Sequence, residues 1–133
     1  MKPARRPVSL LATALLFPIL ASCAPSDTEA FDVVEATISE MQQAMAEGHL
    51  TSRELVEAHL LRIALYEEEI NAVITVNHHA LEIADSLDRL RAEGPVLGPL
   101  HGIPVALKDN IHTTEMPTTG GALVFQGYTP PYR

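Results

Sequence analysis

Tryptophan is missing from this 133-residue chain, and aromatic residues make up only 5% of it. A dense independent core is harder to build without such side chains. There is one cysteine, so an intrachain disulfide is excluded. Basic residues are scarce. Nine Lys and Arg stand against seventeen Asp and Glu, for a formal charge of −8. That balance argues against nucleic-acid binding through a basic face. The length allows one domain at most. No internal repeat is visible, and no low-complexity tract beyond an apolar leader. Neither a zinc-ligand spacing nor a phosphate-cradling glycine loop is present. The six histidines are scattered, and the adjacent pair His78 and His79 would diverge on a helix and make no metal pair.

The leader is the first feature that is present. Lys2, Arg5 and Arg6 form a positive start, and Val8 to Ala21 is mostly apolar, broken by Ser9, Thr13 and Pro18. That run is shorter than the roughly 20 apolar residues of a spanning helix, and it reads as a signal peptide over residues 1–22. Leu20-Ala21-Ser22-Cys23 resembles a bacterial lipobox, in which the cysteine becomes the lipid-bearing N-terminus. An ordinary signal peptide with a chance cysteine is the alternative. Residues 23–30 then form a short polar tether. The expected destination is the bacterial cell envelope, with the protein exported and held at a membrane through lipid on Cys23. Cleavage would remove three basic residues and no acidic ones, leaving the chain more acidic still.

Helical signals follow. Thr37 with Glu40 and Ser39 with Gln42 are alternative capping boxes for a first helix. Val34, Ile38, Met41 and Met45 share its spacing, and Gly48 stops it. Thr51 and Glu54 form a second box, opening a helix with Val56, Leu60 and Ile63 on its apolar stripe and an end near Tyr66. Glu67-Glu68-Glu69 reads as a solvated end. Asn71 to Val76 reads as a strand or extended segment. Asn77 is a candidate cap for a third helix with apolar positions Ala80, Ile83, Ala84, Leu87 and Leu90, ended by Gly94-Pro95.

The most informative stretch is Gly98 to Gly121, GPLHGIPVALKDNIHTTEMPTTGG. Turn residues give way to Ile103-Pro104-Val105-Ala106-Leu107, a short apolar run that reads as a buried strand, with Pro104 tolerated at its start. Lys108 and Asp109 stand at its C-terminal end, where open α/β sheets place their chemistry. The expected fold class is therefore α/β, helices leading into a strand with a reactive end.

This stretch resembles the amidase signature hydrolases. The residues that carry the resemblance are Gly98-Pro99-Leu100-His101-Gly102-Ile103-Pro104-Val105, Leu107-Lys108-Asp109-Asn110-Ile111 and Met116-Pro117-Thr118-Thr119, with weaker agreement through Leu50 to Val56, Arg62-Ile63 and Asn71 to Ile74. The resemblance implies the N-terminal helices and first strands of an α/β/α fold with a mixed sheet, incomplete here. Residues 31–133 would be the truncated N-terminal part of an amidase domain. It implies hydrolysis of carboxylic amides of small molecules by a serine, a second serine in a cis peptide, and a lysine, with no cofactor and no metal. By the resemblance that catalytic lysine is Lys108. Free lysine has a pKa near 10.4, so only about one in 2,500 is neutral at pH 7, and bringing it near neutrality costs about 4 kcal/mol. Burial or neighbouring cations must supply that. The plain alternative is a surface lysine paired with Asp109. Asp109 and Asn110 are expected to fix the loop through side-chain to backbone hydrogen bonds, and His101 to be structural. The Thr118 to Gly121 turn is equally consistent with approach to substrate and with a tight turn.

Both serines of such enzymes lie in a Gly-Ser-rich segment after the lysine, and no serine follows Lys108 in this sequence. Thr113, Thr114, Thr118 and Thr119 lack an evident activating partner. The chain alone is therefore expected to be inactive. The other expectations are a transamidase subunit of the same family, which an export leader and acidic charge oppose, and a non-catalytic envelope lipoprotein acting as a binding module.

The lipobox reading sets the first test. The chain expressed in a bacterium with a lipoprotein pathway is expected to gain the mass of its acyl chains and to partition with membranes, and Cys23→Ser to lose both. Equal solubility of the two forms, read by mass spectrometry and fractionation, would remove the anchor.

Overall fold

The computed structural model describes residues 30–132. The leader, the lipobox and Cys23 lie outside the described residues. Three α-helices follow in order: α1 (Ile38–Ala46), α2 (Ser52–Ile70) and α3 (Ala80–Glu93). A single 3-10 turn, Leu123–Phe125, interrupts the irregular chain after them.

Each helix end has a local cause. At α1 the Thr37–Glu40 box is the one that forms. Glu40 N–H donates to Thr37 Oγ1 at 3.2 Å, and Thr37 N–H to the Glu40 carboxylate at 2.7 Å. Thr37 N–H and the Thr37 hydroxyl, both donating to the Glu40 carboxylate, favour its ionised form and hold it below its ordinary pKa. Gly48 takes φ +74°, and His49 N–H reaches back to Ala44 O at 2.9 Å, closing the end. Val34, expected on the helical stripe, lies in the turn before α1 and is exposed.

The Thr51–Glu54 box opens α2 as the sequence predicts. The helix does not stop near Tyr66. It continues through Glu67-Glu68-Glu69 to Ile70, because glutamate is a good helix former and no breaker precedes Asn71. Asn71 then takes a left-handed conformation at φ +52° and its N–H donates to Glu67 O. Glu67 is also more than a solvated end, since its carboxylate accepts from Val73 N–H at 2.9 Å. Asn77 does not cap α3. Its side chain accepts from His79 N–H at 2.9 Å, turning the chain just before the helix begins at Ala80.

The largest departure concerns strands. Among the described residues none forms, either at Asn71–Val76 or at Ile103–Leu107. The second segment has no regular hydrogen-bonded ladder. It is not buried either, with Val105 59% and Leu107 48% exposed. A strand is defined by its pairing, and no second extended segment lies beside this one among the described residues. Local apolar pattern gives the run its character, but a sheet needs a neighbour.

The core sits where α1, the start of α2 and the Gly98–Ile103 turn meet. Met41, Ala44, Met45, Leu50 and Leu55 are buried together, with Phe31, Val33, Ala36 and Ile103 packed against them. At this junction α3 holds the first turn of α2. Ser52 and Arg53 N–H both donate to the Asp88 carboxylate, at 2.7 and 3.1 Å, and Arg53 pairs with Asp85 at 2.7 Å. A carboxylate at a helix N-terminus satisfies free amides and meets the positive end of the dipole. The turn is tied down by a second group of bonds. Gln42 donates to Pro99 O and His101 O, while Arg91 Nη2 donates to Gln42 Oε1 and His101 O at 2.9 Å each. His101 is buried and structural: Leu97 N–H donates to its Nδ1, and its Nε2 to Leu87 O. Gly102, at φ +79°, passes so close to Ser52 that an added Cβ would lie 2.0 Å from Ser52 Oγ.

Two substitutions test this junction by urea denaturation. Gly102→Ala is expected to cost about 1–3 kcal/mol, because turning the Ser52 hydroxyl away still leaves the new Cβ 3.1 Å from Ser52 Cβ in a left-handed backbone. Asp88→Ala is expected to cost about 0.5–2 kcal/mol, the range for losing a side-chain cap. Unchanged denaturation midpoints for both would show that the turn does not hold the helices.

Candidate active site

Lys108 stands where the extended run 103–107 enters a turn. Its carbonyl accepts from Ile111 N–H at 2.9 Å, and its side chain is exposed. The plain alternative of an ion pair with Asp109 is not found. Among the described residues Lys108 makes no salt bridge, and the Asp109 carboxylate is turned to a different set of donors.

Those donors all belong to the Thr119–Gly121 turn. Thr119 N–H donates to Asp109 Oδ1 at 2.8 Å and the Thr119 hydroxyl donates to Oδ2. Gly121 N–H reaches Oδ2 at 3.3 Å, and Gly120 N–H donates to the Asp109 carbonyl at 2.9 Å. Gly120 and Gly121 both take positive φ, +59° and +76°, which lets consecutive amides reach different oxygens of the one residue, Asp109. The residue after Lys108 is thus clamped by both its backbone and its side chain, and Asp109 has the loop-fixing role expected of it. No such side-chain bond involves Asn110.

Further bonds close the loop. Thr118 is buried, and its N–H donates to Tyr128 O at 2.8 Å. Thr113 exchanges bonds with Met116, accepting from its N–H at 3.2 Å and donating to its carbonyl at 3.3 Å. Between the loop and the 3-10 turn lies an open groove of about 230 Å³. The lysine loop contributes Asn110, His112, Thr118, Thr119 and Gly120 to its lining, and the chain around the 3-10 turn contributes Phe125 and Tyr128. The two aromatic rings stand 6.3 Å apart at 51°. Sequence reasoning did not single out Phe125 or Tyr128. The available signal was the gathering of aromatic residues near the C-terminal end of a chain otherwise poor in them.

The bonds to Asp109, led by the Thr119 hydroxyl and Thr119 N–H, favour its ionised form and hold its carboxyl below the usual aspartate range. The folded value then lies under the unfolded one, about 3.9. The clamp's contribution is present above that value and disappears as pH falls through the lower folded value. The amide signals of Thr119 and Gly121 are expected to titrate together below about pH 3.9, and Asp109→Asn to abolish the step. A midpoint at or above the ordinary value would contradict the clamp.

Known proteins can be set beside this geometry. The amidase family model matches residues 54–133. The A subunit of the glutamyl-tRNA(Gln) amidotransferase of Streptomyces coelicolor is 40% identical over 102 residues, which is 76% of this chain and 20% of that protein. Two solved structures are similar. One is peptide amidase PAM in complex with the competitive inhibitor chymostatin, with TM-score 0.73, 42% identity and coverage of 75% of this chain and 21% of the other. The other is the native peptide amidase of Stenotrophomonas maltophilia, with TM-score 0.70, 42% identity and coverage of 72% and 20%. The chain spans about a fifth of the length of the curated relatives it matches. A match that runs from within α2 through the Lys108 loop takes in the larger part of the sequence, and on that ground the chain belongs to the amidase family.

Proposed function

We propose that these residues supply the lysine arm of an enzyme that hydrolyses carboxylic amides. Lys108 is the base. It relays a proton through a serine to a nucleophilic serine, which attacks the amide carbonyl, and backbone N–H groups hold the oxyanion. The observation that carries the reading is the clamp behind the lysine. Asp109 is spent on Thr119, Gly120 and Gly121, so the backbone that carries the lysine is held and, among the described residues, Lys108 makes no salt bridge. A lysine tied to aspartate would be held protonated, the wrong state for a base. The side chain is exposed among the described residues, and the reaction calls for a covering that excludes water. In this proposal the part of the domain bearing the serines provides it. We further propose that the protein works at the bacterial envelope, tethered by lipid on Cys23.

A transamidase reading draws on the 40% identity to the A subunit of a glutamyl-tRNA(Gln) amidotransferase. The apolar leader and the excess of acidic residues favour the amidase, since an anionic tRNA gains from basic surface.

The test uses a chimera in which residues 30–133 replace the corresponding segment of the Stenotrophomonas maltophilia peptide amidase. It is expected to hydrolyse amides, and Lys108→Ala to lower kcat by about 10²–10⁴, the usual worth of a general base. The 133-residue chain by itself is expected to show no turnover, having no serine after Lys108. A chimera equally active with alanine at 108 would refute the assignment.

A further inference from the structure

The groove beside the Lys108 loop has features that amide hydrolysis in general does not require. Its volume, about 230 Å³, lies below the roughly 300–1,000 Å³ of pockets that enclose a whole drug-sized ligand. It therefore has room for one side chain or ring. No Asp, Glu, Lys or Arg side chain lines it. A charged group entering would be desolvated without a counter-charge, which is costly. An uncharged group would meet no such penalty.

Its lining combines two chemistries. Phe125 and Tyr128 give an apolar wall of two rings inclined to one another, an arrangement that suits a third ring stacked or placed edge-on. The wall is held in place by the backbone. Tyr128 O accepts from Thr118 N–H and Tyr128 N–H donates to Phe125 O, so the 3-10 turn is tied to the lysine loop. The rest of the lining is polar; its two threonine hydroxyls are already engaged, and the His112 ring packs edge-on against Tyr132. Thr119 is occupied by Asp109 and Thr118 reaches toward Ile111 O. The Asn110 carboxamide makes no hydrogen bond among the described residues. A carboxamide offers both a donor and an acceptor, and so complements an amide group of a ligand. Asn110 is two residues from Lys108.

We propose that this groove is a specificity subsite for an aromatic side chain on the amide substrate, with Phe125 and Tyr128 receiving the ring and Asn110 bonding the adjacent amide. The assignment rests on the amidase reading above and narrows it to amides bearing an uncharged ring near the bond that is cut. An apolar wall open to water on one side discriminates weakly, at the low end of what a hydrophobic pocket gives.

The experiment titrates the full chain with N-acetylphenylalaninamide and, separately, with N-acetylalaninamide, following backbone amide signals by NMR. The phenyl probe is expected to shift Asn110, Gly120 and Tyr128 and to bind about ten-fold more tightly than the alanine probe. Phe125→Leu and Tyr128→Leu keep apolar bulk without a ring, and each is expected to bring the two probes close together. Tyr66→Leu, on α2 away from the groove, is expected to leave the preference intact. Equal binding of the two probes, shifts that map elsewhere, or no shift at the solubility limit would each overturn the subsite. Ring preference in the groove with a chimera indifferent to Lys108→Ala keeps the subsite and removes the reaction. Lys108-dependent turnover without ring preference does the reverse.

Discussion

At Gly102 the backbone comes within the space a side chain would need, and the rest of the described fold is arranged around that approach. Ser52, fully buried, lies against it, with Met45 behind. Ser52 is also the first residue of α2, so the amide beside that contact is the one Asp88 caps from α3. Arg91, one turn further along α3, closes the other side through Gln42 and His101. Its Nε is buried without a hydrogen-bond partner, a loss the packing around it must offset. Three helices and the turn that leads to Lys108 are thus joined at one crowded point. Among the described residues the lysine loop takes its position from that junction.

Local devices were legible in the sequence. The Thr51–Glu54 box and the stop at Gly48 depend on residues three or four apart, and spacing alone reveals them. Of the two boxes open at α1, only the structure decides for Thr37. The bonds from Asp88, Arg91 and Gln42 were not legible, since each joins residues ten or more positions apart and gives no periodic signal. The strand expected over 103–107 fails for a related reason. Its apolar run is real, but pairing is a property of two segments and one of them is absent from the described residues. The full length of α2 is hard to read because three consecutive glutamates look like a surface loop while being acceptable to a helix.

The candidate site divides along the same line. Asp109 was legible as a loop-fixing residue because aspartate beside turn residues bonds nearby amides. Its particular partners, ten and twelve residues on, were not. Lys108 stood out only through the family resemblance, since a lone lysine after an apolar run is otherwise an ordinary surface residue. The aromatic wall of the groove depends on the 3-10 turn folding back to Thr118, a contact no short window contains.

The burial of α2 is uneven, and that bears on how the molecule opens. Ser52, Leu55 and Val56 are buried at its start, whereas Leu61, Leu65 and Ile70 are largely exposed toward its end. Cooperative units of a protein open in the order of the apolar surface they would lose. Among the described residues the last turns of α2 therefore have less apolar burial to hold them than its capped first turn. What ties that end to the connection into α3 is polar instead, the bond from Val73 N–H to the Glu67 carboxylate.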